Sequence, residues 1–450
     1  MKPVAGVPGV DFTIEDVRGV FPEEIEIQSL DHPVDATIKV PGSKSVTNRV
    51  LIIAALADGP STINNPLFSD DSFWLMEALI RLGFKVHADR DEAGVQITGK
   101  RGIIPQSSME VFVGNAGTVA RFLPPVLALG EGPYWVDGVP RMRERPVADL
   151  VDAMRGLGAG VKYAGEEGRF PLVVEGGGLR GGTVRVRGGK SSQFVSGLLM
   201  AAPYAGEPVT LEIEGRKDWP YVGITADVMR DFGVEVGIED SFRRLTVEPG
   251  AYAATEYAVE PDASAASYFL AVAAVTGGWM RIPGLGAGSP QGDLRFAGVL
   301  RKMGCEVELG SDFIELSGPG ILRGVDVDMG AFSDTMITLS AIAPFASSPT
   351  TIRNVGHTRH QETDRVAAIA TELGRLGVRV EEAPDSLRIT PGPVSPAAVR
   401  TYGDHRMAMA FAVTGLVAPG IRIREPGCVT KTFPDYFERL EKLRRQGPQT

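Results

Sequence analysis

The amino-acid sequence predicts an α/β protein built from six copies of one βαβαββ unit. A polar loop followed by about 12–16 mostly apolar residues recurs every 70–76 residues, and its anchors are Lys44, Asn115, Ser191, Asp262, Asp334 and Asp404. An amphipathic helix, a glycine and a short valine-rich strand recur every 71–75 residues, and the glycines are Gly83, Gly158, Gly233, Gly304 and Gly377. A fixed period indicates duplicated supersecondary units, here longer than solenoid repeats.

The helices that follow the polar loops are candidates for anion binding. A helix N-terminus has unpaired backbone N–H groups and a partial positive charge, so it favours anions. Alternatively, the Ser, Asn and Asp residues of these loops only cap the helices. For one loop alone, capping is the better interpretation. Six loops in register, several with Lys or Arg, favour a site for a strongly anionic ligand.

Composition excludes several classes of protein. The chain has 450 residues, 43% hydrophobic and 23% charged, which predicts a globular protein of two or three domains. It has neither an apolar run of about 20 residues nor a secretory signal pattern. Cys305 and Cys428 are too few for a disulfide framework, which favours a reducing, cytoplasmic location. The net charge of −10 disfavours a nucleic-acid partner.

The first unit follows an acidic stretch, residues 1–33, in which we expect a loosely held extension. Residues 34–40 alternate apolar and polar side chains, as a half-buried strand does. The loop 41–49 carries Lys44 and Arg49 and leads into an apolar helix over residues 50–57. An amphipathic helix over 72–81 and a strand over 84–86 follow.

The second and third units add two glycine-rich loops and a basic one. Gly117 is either a turn glycine or a position that lets backbone N–H groups approach a ligand. Residues 137–146 hold three arginines between a glycine and a proline, which favours a fixed loop over a solvated rim. Residues 188–193 suit a phosphate, although the P-loop spacing is absent.

Residues 257–262 separate three units from three and predict a domain boundary. The informative stretches of the second half are Asp334 and residues 357–365, 404–406 and 431–437. His357 and His360 could bind a metal, but the sequence offers no third ligand, so no metal is expected.

Seven strings in order resemble the enolpyruvyl transferase family. They are PGSKSxxNR (41–49), GNAGT (114–118), PRMRERP (140–146), SSQ (191–193), ETDR (362–365), DHRMAM (404–409) and KTFPDYF (431–437). The resemblance covers roughly residues 34–440. It implies two inside-out α/β barrel domains of three βαβαββ units each, with parallel helices inside and sheets outside. The implied domains are 43–257 and 258–450, with residues 1–42 packing on the second, and the cleft between them closes on ligands.

The resemblance also implies a reaction. The enolpyruvyl group of phosphoenolpyruvate would move to the 5-hydroxyl of shikimate 3-phosphate through a tetrahedral intermediate, and phosphate would leave. No cofactor is implied; the chain would be a monomer without nucleic-acid or membrane partners. Phosphoenolpyruvate would be held by Lys44, Gly117, Arg145, Gln193, Arg365, Arg406 and Lys431. Shikimate 3-phosphate would be held by Lys44, Ser45, Arg49, Ser191, Ser192, Gln193, Tyr221, Asp334 and Gln361.

The implied chemistry needs two proton transfers, at the attacking hydroxyl and at the methylene carbon. Asp334 and Glu362 match the family's carboxylates, and Lys44 is a third candidate acid. Asp364 is interpreted as an N-terminal acid of the next helix.

Two departures leave the acceptor open. Gln361 stands where the family usually has Lys or His, and Asp218 where it often has a phosphate-binding Ser. A transferase with a different phosphorylated acceptor and a non-catalytic binding homologue are therefore kept as alternatives. The related enzyme that acts on UDP-N-acetylglucosamine usually has a reactive Cys in its first half. Both cysteines of this chain lie in the second half, which argues against that enzyme.

Overall fold

The computed structural model describes residues 9–187, 191–215 and 219–446. Within these residues no helix is long and apolar enough to cross a membrane. The strands are β1 Glu24–Glu26, β2 Asp35–Thr37, β3 Asp58–Asn64, β4 Lys85–Asp89, β5 Gly94–Lys100, β6 Met109–Phe112, β7 Tyr134–Asp137, β8 Gly160–Tyr163, β9 Leu172–Gly176, β10 Gly182–Arg187, β11 Val209–Glu214, β12 Gly237–Glu239, β13 Arg244–Val247, β14 Glu256–Ala258, β15 Trp279–Pro283, β16 Glu306–Leu309, β17 Phe313–Ser317, β18 Asp326–Asp328, β19 Thr350–Arg353, β20 Arg379–Ala383, β21 Ser386–Thr390, β22 Ala398–Val399 and β23 Arg422–Arg424.

The helices alternate with these strands. The α-helices are α1 Ile14–Arg18, α2 Lys44–Leu56, α3 Asp70–Arg81, α4 Gly117–Leu127, α5 Pro140–Glu144, α6 Ala148–Gly156, α7 Ser192–Ala201, α8 Pro220–Asp231, α9 Ala263–Thr276, α10 Arg295–Lys302, α11 Met336–Ile342, α12 Arg365–Arg375, α13 His405–Val417 and α14 Tyr436–Arg445. The short 3-10 helices are Ala202–Tyr204, Gly292–Leu294, Ser333–Thr335, Ala343–Phe345, Gly356–His360 and Pro426–Lys431.

Five sheets share one topology, which confirms the repeated unit. In the sheet β6-β7-β9-β8, β6 runs parallel to β7, and the hairpin β8–β9 pairs antiparallel with β7 through β9. The same order occurs in β10-β11-β13-β12 and β18-β19-β21-β20. Two sheets take their first strand from far along the chain, β14 beside β3 and β2 beside β15. The five recurring glycines all follow a helix with positive φ, from 82° to 108°, which only glycine adopts without strain.

The sixth unit differs from the prediction. Its sheet, as far as residues 9–446 show it, has three strands, β1-β23-β22, and β1 from early in the chain pairs antiparallel with β23 where the other sheets have a hairpin strand. The sheets are separate, and none of those described closes into a barrel.

The loop-first helices form the core of each half. Nearly every residue of α2, α4, α9 and α13 is buried, whereas the second helices of the units are amphipathic, as in α12. Such all-round burial is what helices inside a layer of sheets require. The predicted α/β architecture with helices inside is therefore confirmed.

The chain divides into two compact units. Unit 1 comprises residues 1–17 and 42–260, and unit 2 comprises residues 18–41 and 261–450. Each unit has its own hydrophobic core. The domain boundaries 43–257 and 258–450 stay a proposal. Residues 1–42 do not group as one segment, since the part before Arg18 belongs to unit 1.

The described part of the N-terminal stretch is packed, so the expectation of a loosely held extension was wrong for residues 9–17. Val10 pairs with Ala88 beside β4. The Phe12 ring lies edge-on to Phe68 at 5.3 Å between centroids. Thr13 caps α1: its backbone N–H donates to Asp16 Oδ2 (2.6 Å), and the Asp16 N–H donates to Thr13 Oγ1 (3.2 Å).

Replacing Phe12 by alanine should detach this segment. Phe12 is buried, and truncating a buried phenylalanine typically costs about 3–5 kcal/mol. We expect faster hydrogen exchange at the Ala88 amide, which donates to Gly9 O (2.9 Å). Val20→Ala is the matched control because Val20 is fully exposed. Unchanged exchange at Ala88 in the Phe12 variant would contradict the packing role.

Candidate active site

The N-terminal halves of four helices in unit 1 lie together. In α2, Asn48 Nδ2 donates to Thr118 Oγ1 of α4 (2.6 Å). Arg49 donates to Ser196 Oγ of α7 (3.0 Å) and to Thr225 Oγ1 of α8 (2.7 Å). Each contact joins residues near the N-terminal ends of their helices. The contacts therefore bring to one end of unit 1 the predicted residues Lys44, Ser45, Arg49, Gly117, Ser191, Ser192, Gln193 and Tyr221.

Side-chain capping distinguishes the loop-first helices. Ser43 and Ala116 precede α2 and α4 without a side-chain cap, and the buried Ser43 Oγ has no hydrogen-bond partner among the described residues. Ser191 caps α7, its Oγ accepting from Gln193 N (3.2 Å). In unit 2, aspartates cap α9 and α13. The capping interpretation is thus confirmed for three loops, whereas α2 and α4 keep ends suited to an external anion.

Arg49 is a buried cation with neutral partners. Its side chain is 1% exposed. Besides Ser196 and Thr225, it donates to the carbonyl oxygens of Ser45 (2.7 Å) and Tyr221 (2.9 Å). Within the described part of the chain, no carboxylate forms an ion pair with it. Burial lowers the pKa of Arg49 to about 9, which leaves it charged at neutral pH. A positive charge held this way attracts an anion.

Arg145 is a second buried arginine, and it faces Gly117. Its Nε and NH1 atoms have no hydrogen-bond partner among the described residues. A Cβ atom at Gly117 would lie 3.0 Å from both NH1 and NH2. Gly117 begins α4 with an ordinary φ, so the glycine is needed for space rather than for backbone conformation. Arg141 and Arg143, by contrast, form ion pairs at the surface with Glu144 and Asp137.

Arg365 organises the candidate residues of unit 2. It donates through Nε to Asp404 (2.8 Å), through NH1 to Asp334 (3.0 Å) and Gln361 (2.5 Å), and through NH2 to Glu362 (3.0 Å). Burial alone would lower the pKa of Arg365, but the carboxylates of Asp404, Glu362 and Asp334 outweigh it and the pKa is raised. Its donors are therefore engaged by the protein, and the guanidinium aligns the side chains around it.

Two further cations complete this cluster. Arg406 NH2 donates to Asp334 Oδ2 (2.6 Å), and Lys431 Nζ donates to Glu362 Oε1 (2.9 Å). Asp334 and Glu362 thus each accept from two cations. Their side chains are 20% and 10% exposed, whereas Asp404 is fully buried. Asp334 and Glu362 are accordingly the carboxylates of this cluster that a substrate can reach.

Several residues that hold the candidates in place were missed by the sequence analysis. For Asp404 the cap of α13 through Arg406 N (2.9 Å) was anticipated by the capping interpretation, but its hydrogen bond from Arg365 Nε (2.8 Å) was not. Tyr268 accepts from Arg406 NH1 (3.4 Å), and no local pattern marks it. Ser196 and Thr225, the partners of Arg49, are equally unmarked because polar residues inside apolar helices can have many roles.

The sequence also led to predictions about Asp364, a metal site at His357 and His360, and Asp218. Asp364 caps α12 by accepting from Ala367 N (3.0 Å), which confirms its interpretation as an N-terminal acid. His357 Nε2 lies 2.9 Å from Ser333 Oγ. In the described ranges, no group of three His, Cys, Asp or Glu side chains is arranged to hold a metal. Asp218 and residues 188–190 lie outside the described residues.

Comparisons with known proteins find chains of similar sequence and a structure of similar fold. A sequence model of the EPSP synthase (3-phosphoshikimate 1-carboxyvinyltransferase) family matches residues 30–440. A 3-phosphoshikimate 1-carboxyvinyltransferase of Nostoc punctiforme is 50% identical over 94% of this chain and 100% of its own length. One from Nitrosomonas europaea is 46% identical over 93% and 99%. The structure of an EPSP synthase from Acinetobacter baumannii superposes with a TM-score of 0.79 over 94% of this chain and 98% of that one, at 23% identity, and so shows the same fold.

Proposed function

This chain belongs to the EPSP synthase (3-phosphoshikimate 1-carboxyvinyltransferase) family, and we propose that it transfers the enolpyruvyl group of phosphoenolpyruvate to the 5-hydroxyl of shikimate 3-phosphate. The observation that carries this proposal is the pair of buried arginines in unit 1, Arg49 and Arg145, for which the described residues supply no carboxylate. Both substrates are multiply anionic, and buried guanidinium groups of this kind suit them.

In unit 1 we assign the shikimate 3-phosphate contacts. Ser191, Ser192 and Gln193 open α7, and Tyr221 opens α8. Arg49 donates to Ser196 of α7 and to the carbonyl oxygen of Tyr221 in α8. Lys44 and Ser45 begin α2. Hydroxyl, amide and cationic groups at helix N-termini fit a phosphate and the ring hydroxyls of this substrate.

Each unit carries residues that we assign to phosphoenolpyruvate. Lys44, the Gly117 backbone, Arg145 and Gln193 are the contributions of unit 1; Arg406 and Lys431 are those of unit 2. Arg365 is already engaged with four side chains, so its main contribution is to keep Asp334 and Glu362 aligned. Gln361 shares that role because its amide oxygen accepts from Arg365. A contact to shikimate 3-phosphate would use the NH2 group of its side chain.

The reaction needs one proton removed from oxygen and one delivered to carbon. The 5-hydroxyl attacks C2 of phosphoenolpyruvate and loses its proton, while the methylene carbon gains one. The tetrahedral intermediate then loses a methyl proton, and the C–O bond to phosphate breaks. We propose Asp334 and Glu362 as the carboxylates that exchange these protons, with Lys44 as an additional acid. Lys431 and Arg406 would offset the charge that builds up on the substrate oxygens.

The direct test is phosphate release from the purified chain with both substrates, with the enolpyruvyl product identified by mass. We expect release that requires both substrates. Binding of phosphoenolpyruvate without turnover would indicate another acceptor, and binding of neither substrate would overturn the proposal. A monomeric, cytoplasmic enzyme stays a prediction, which light scattering of the purified protein and fractionation of cells can check.

Replacing Gly117 by alanine should weaken phosphoenolpyruvate binding selectively. The added methyl group would press on the Arg145 guanidinium, the movable end of a side chain, rather than on backbone. We expect KM for phosphoenolpyruvate to rise about tenfold, the loss of one charged hydrogen bond, with little change in Tm. Gly298→Ala in α10 is the control, since no atom lies within 4 Å of its Cβ position. An unchanged KM would show that Arg145 does not contact this substrate.

A further inference from the structure

Glu372 is a buried carboxylate outside every motif of the sequence analysis. It lies on α12, seven residues after Arg365, so the two side chains are two turns apart on the same face. Its side chain is 0% exposed. It accepts from the Tyr402 hydroxyl at Oε1 (2.6 Å) and from the Arg400 backbone N–H at Oε2 (3.0 Å). Arg375 NH1 lies 3.3 Å from both oxygens.

These contacts hold a strained loop. Tyr402 and Gly403 adopt consecutive left-handed conformations, with φ of 56° and 67°. A bulky residue such as tyrosine rarely adopts a positive φ, so the surroundings must stabilise it. The loop then closes through Asp404 N, which donates to Thr401 O (2.9 Å). Burial and the Glu372 carboxylate raise the pKa of Tyr402 to about 12, so its hydroxyl remains a donor at neutral pH.

The loop leads directly to the candidate site. Asp404 follows it, accepts from Arg365 Nε and caps α13 at the Arg406 N–H. Two residues of helix α12 therefore form hydrogen bonds with residues 400–404: Arg365 donates to Asp404, and Glu372 accepts from Arg400 N and from the Tyr402 hydroxyl. Loss of the Glu372 contacts would shift Asp404, and with it the Arg406 guanidinium that donates to Asp334.

We propose that Glu372 and Tyr402 are positioning residues that set the place of Arg406 and thereby the affinity for phosphoenolpyruvate. This inference rests on the proposed function, which assigns Arg406 to that substrate. A merely structural role would lower stability and affect both substrates alike. A positioning role affects the substrate that Arg406 binds.

The test compares KM for the two substrates in Tyr402→Phe and Glu372→Gln, with Tm measured beside them. Tyr402→Phe removes one hydroxyl and keeps the ring, so it tests the positioning role even where Glu372→Gln fails to fold. We expect KM for phosphoenolpyruvate to rise about tenfold and KM for shikimate 3-phosphate to change less than about twofold. The double variant should show less than the sum of the two single effects, because both changes act on the same group of contacts around Glu372. Tyr163→Phe in unit 1 is the control.

Arg406→Lys separates the two hypotheses. Where it raises KM for phosphoenolpyruvate but Tyr402→Phe does not, the positioning role is overturned and the proposed function stands. Where Tyr402→Phe lowers Tm and raises both KM values equally, its role is structural, which also overturns the inference. An unchanged KM for phosphoenolpyruvate in Arg406→Lys would contradict the assignment of Arg406 to that substrate, and it would therefore overturn the inference as well.

Discussion

Replacing Glu362 by glutamine should lower kcat about a thousandfold and leave shikimate 3-phosphate binding nearly unchanged. A positioned acid or base contributes about 10²–10⁴ in rate, and an amide cannot exchange a proton in this way. Glutamine also disturbs the cluster. Glu362 accepts from Lys431 at one oxygen and from Arg365 at the other, and an amide has only one oxygen. One of the two cations would then face an NH2 group.

The effect is measured by phosphate release, and shikimate 3-phosphate binding is measured by calorimetry. Most residues assigned to that substrate belong to unit 1, so its affinity should survive the change. Glu381→Gln is the matched control: Glu381 is exposed on β20 and pairs with Arg379 (3.2 Å). A Glu362→Gln variant that retains more than about a tenth of wild-type kcat would exclude Glu362 from proton transfer.

How far the sequence could predict this site depends on the kind of signal each residue leaves. Lys44, Gly117 and Asp334 stand in loops that recur at a fixed period, and a repeat exposes such loops even where no single loop is informative. The five glycines after amphipathic helices were predictable for the same reason, since a positive φ at a helix end is a local requirement.

Other contacts could not be predicted because they depend on packing between distant segments. Tyr268 reaches Arg406 across 138 residues, and Ser196 reaches Arg49 across 147. Both lie in helices buried on nearly all sides, where periodicity does not show which polar side chain meets which partner. The sixth sheet was wrongly predicted as a complete unit because its third strand, β1, comes from the other end of the chain.

Replacing Arg49 by methionine should separate binding from stability. The variant removes a buried charge that has only neutral partners and fills a similar volume with an apolar side chain. Replacing buried ionic groups by packed apolar ones is often neutral or stabilising. The hydroxyl left behind keeps a partner: Thr225 Oγ1 lies 2.7 Å from Ser196 Oγ and 3.0 Å from Tyr221 O, and its one proton can be donated to either acceptor. We therefore expect Tm of the free protein to stay the same or rise.

Shikimate 3-phosphate affinity should fall at least about a hundredfold in the same variant, because losing a desolvated cation from an anion site costs about 2–5 kcal/mol. Arg49→Lys should give an intermediate loss, since it keeps the charge but not the planar fork. Arg230→Met, at an exposed position on α8, should change neither property. Calorimetry measures the affinity for shikimate 3-phosphate, and thermal unfolding measures Tm. A large fall in Tm with unchanged affinity would make Arg49 a structural residue of the helix core, because a cation kept for a ligand must show its effect in the binding of that ligand.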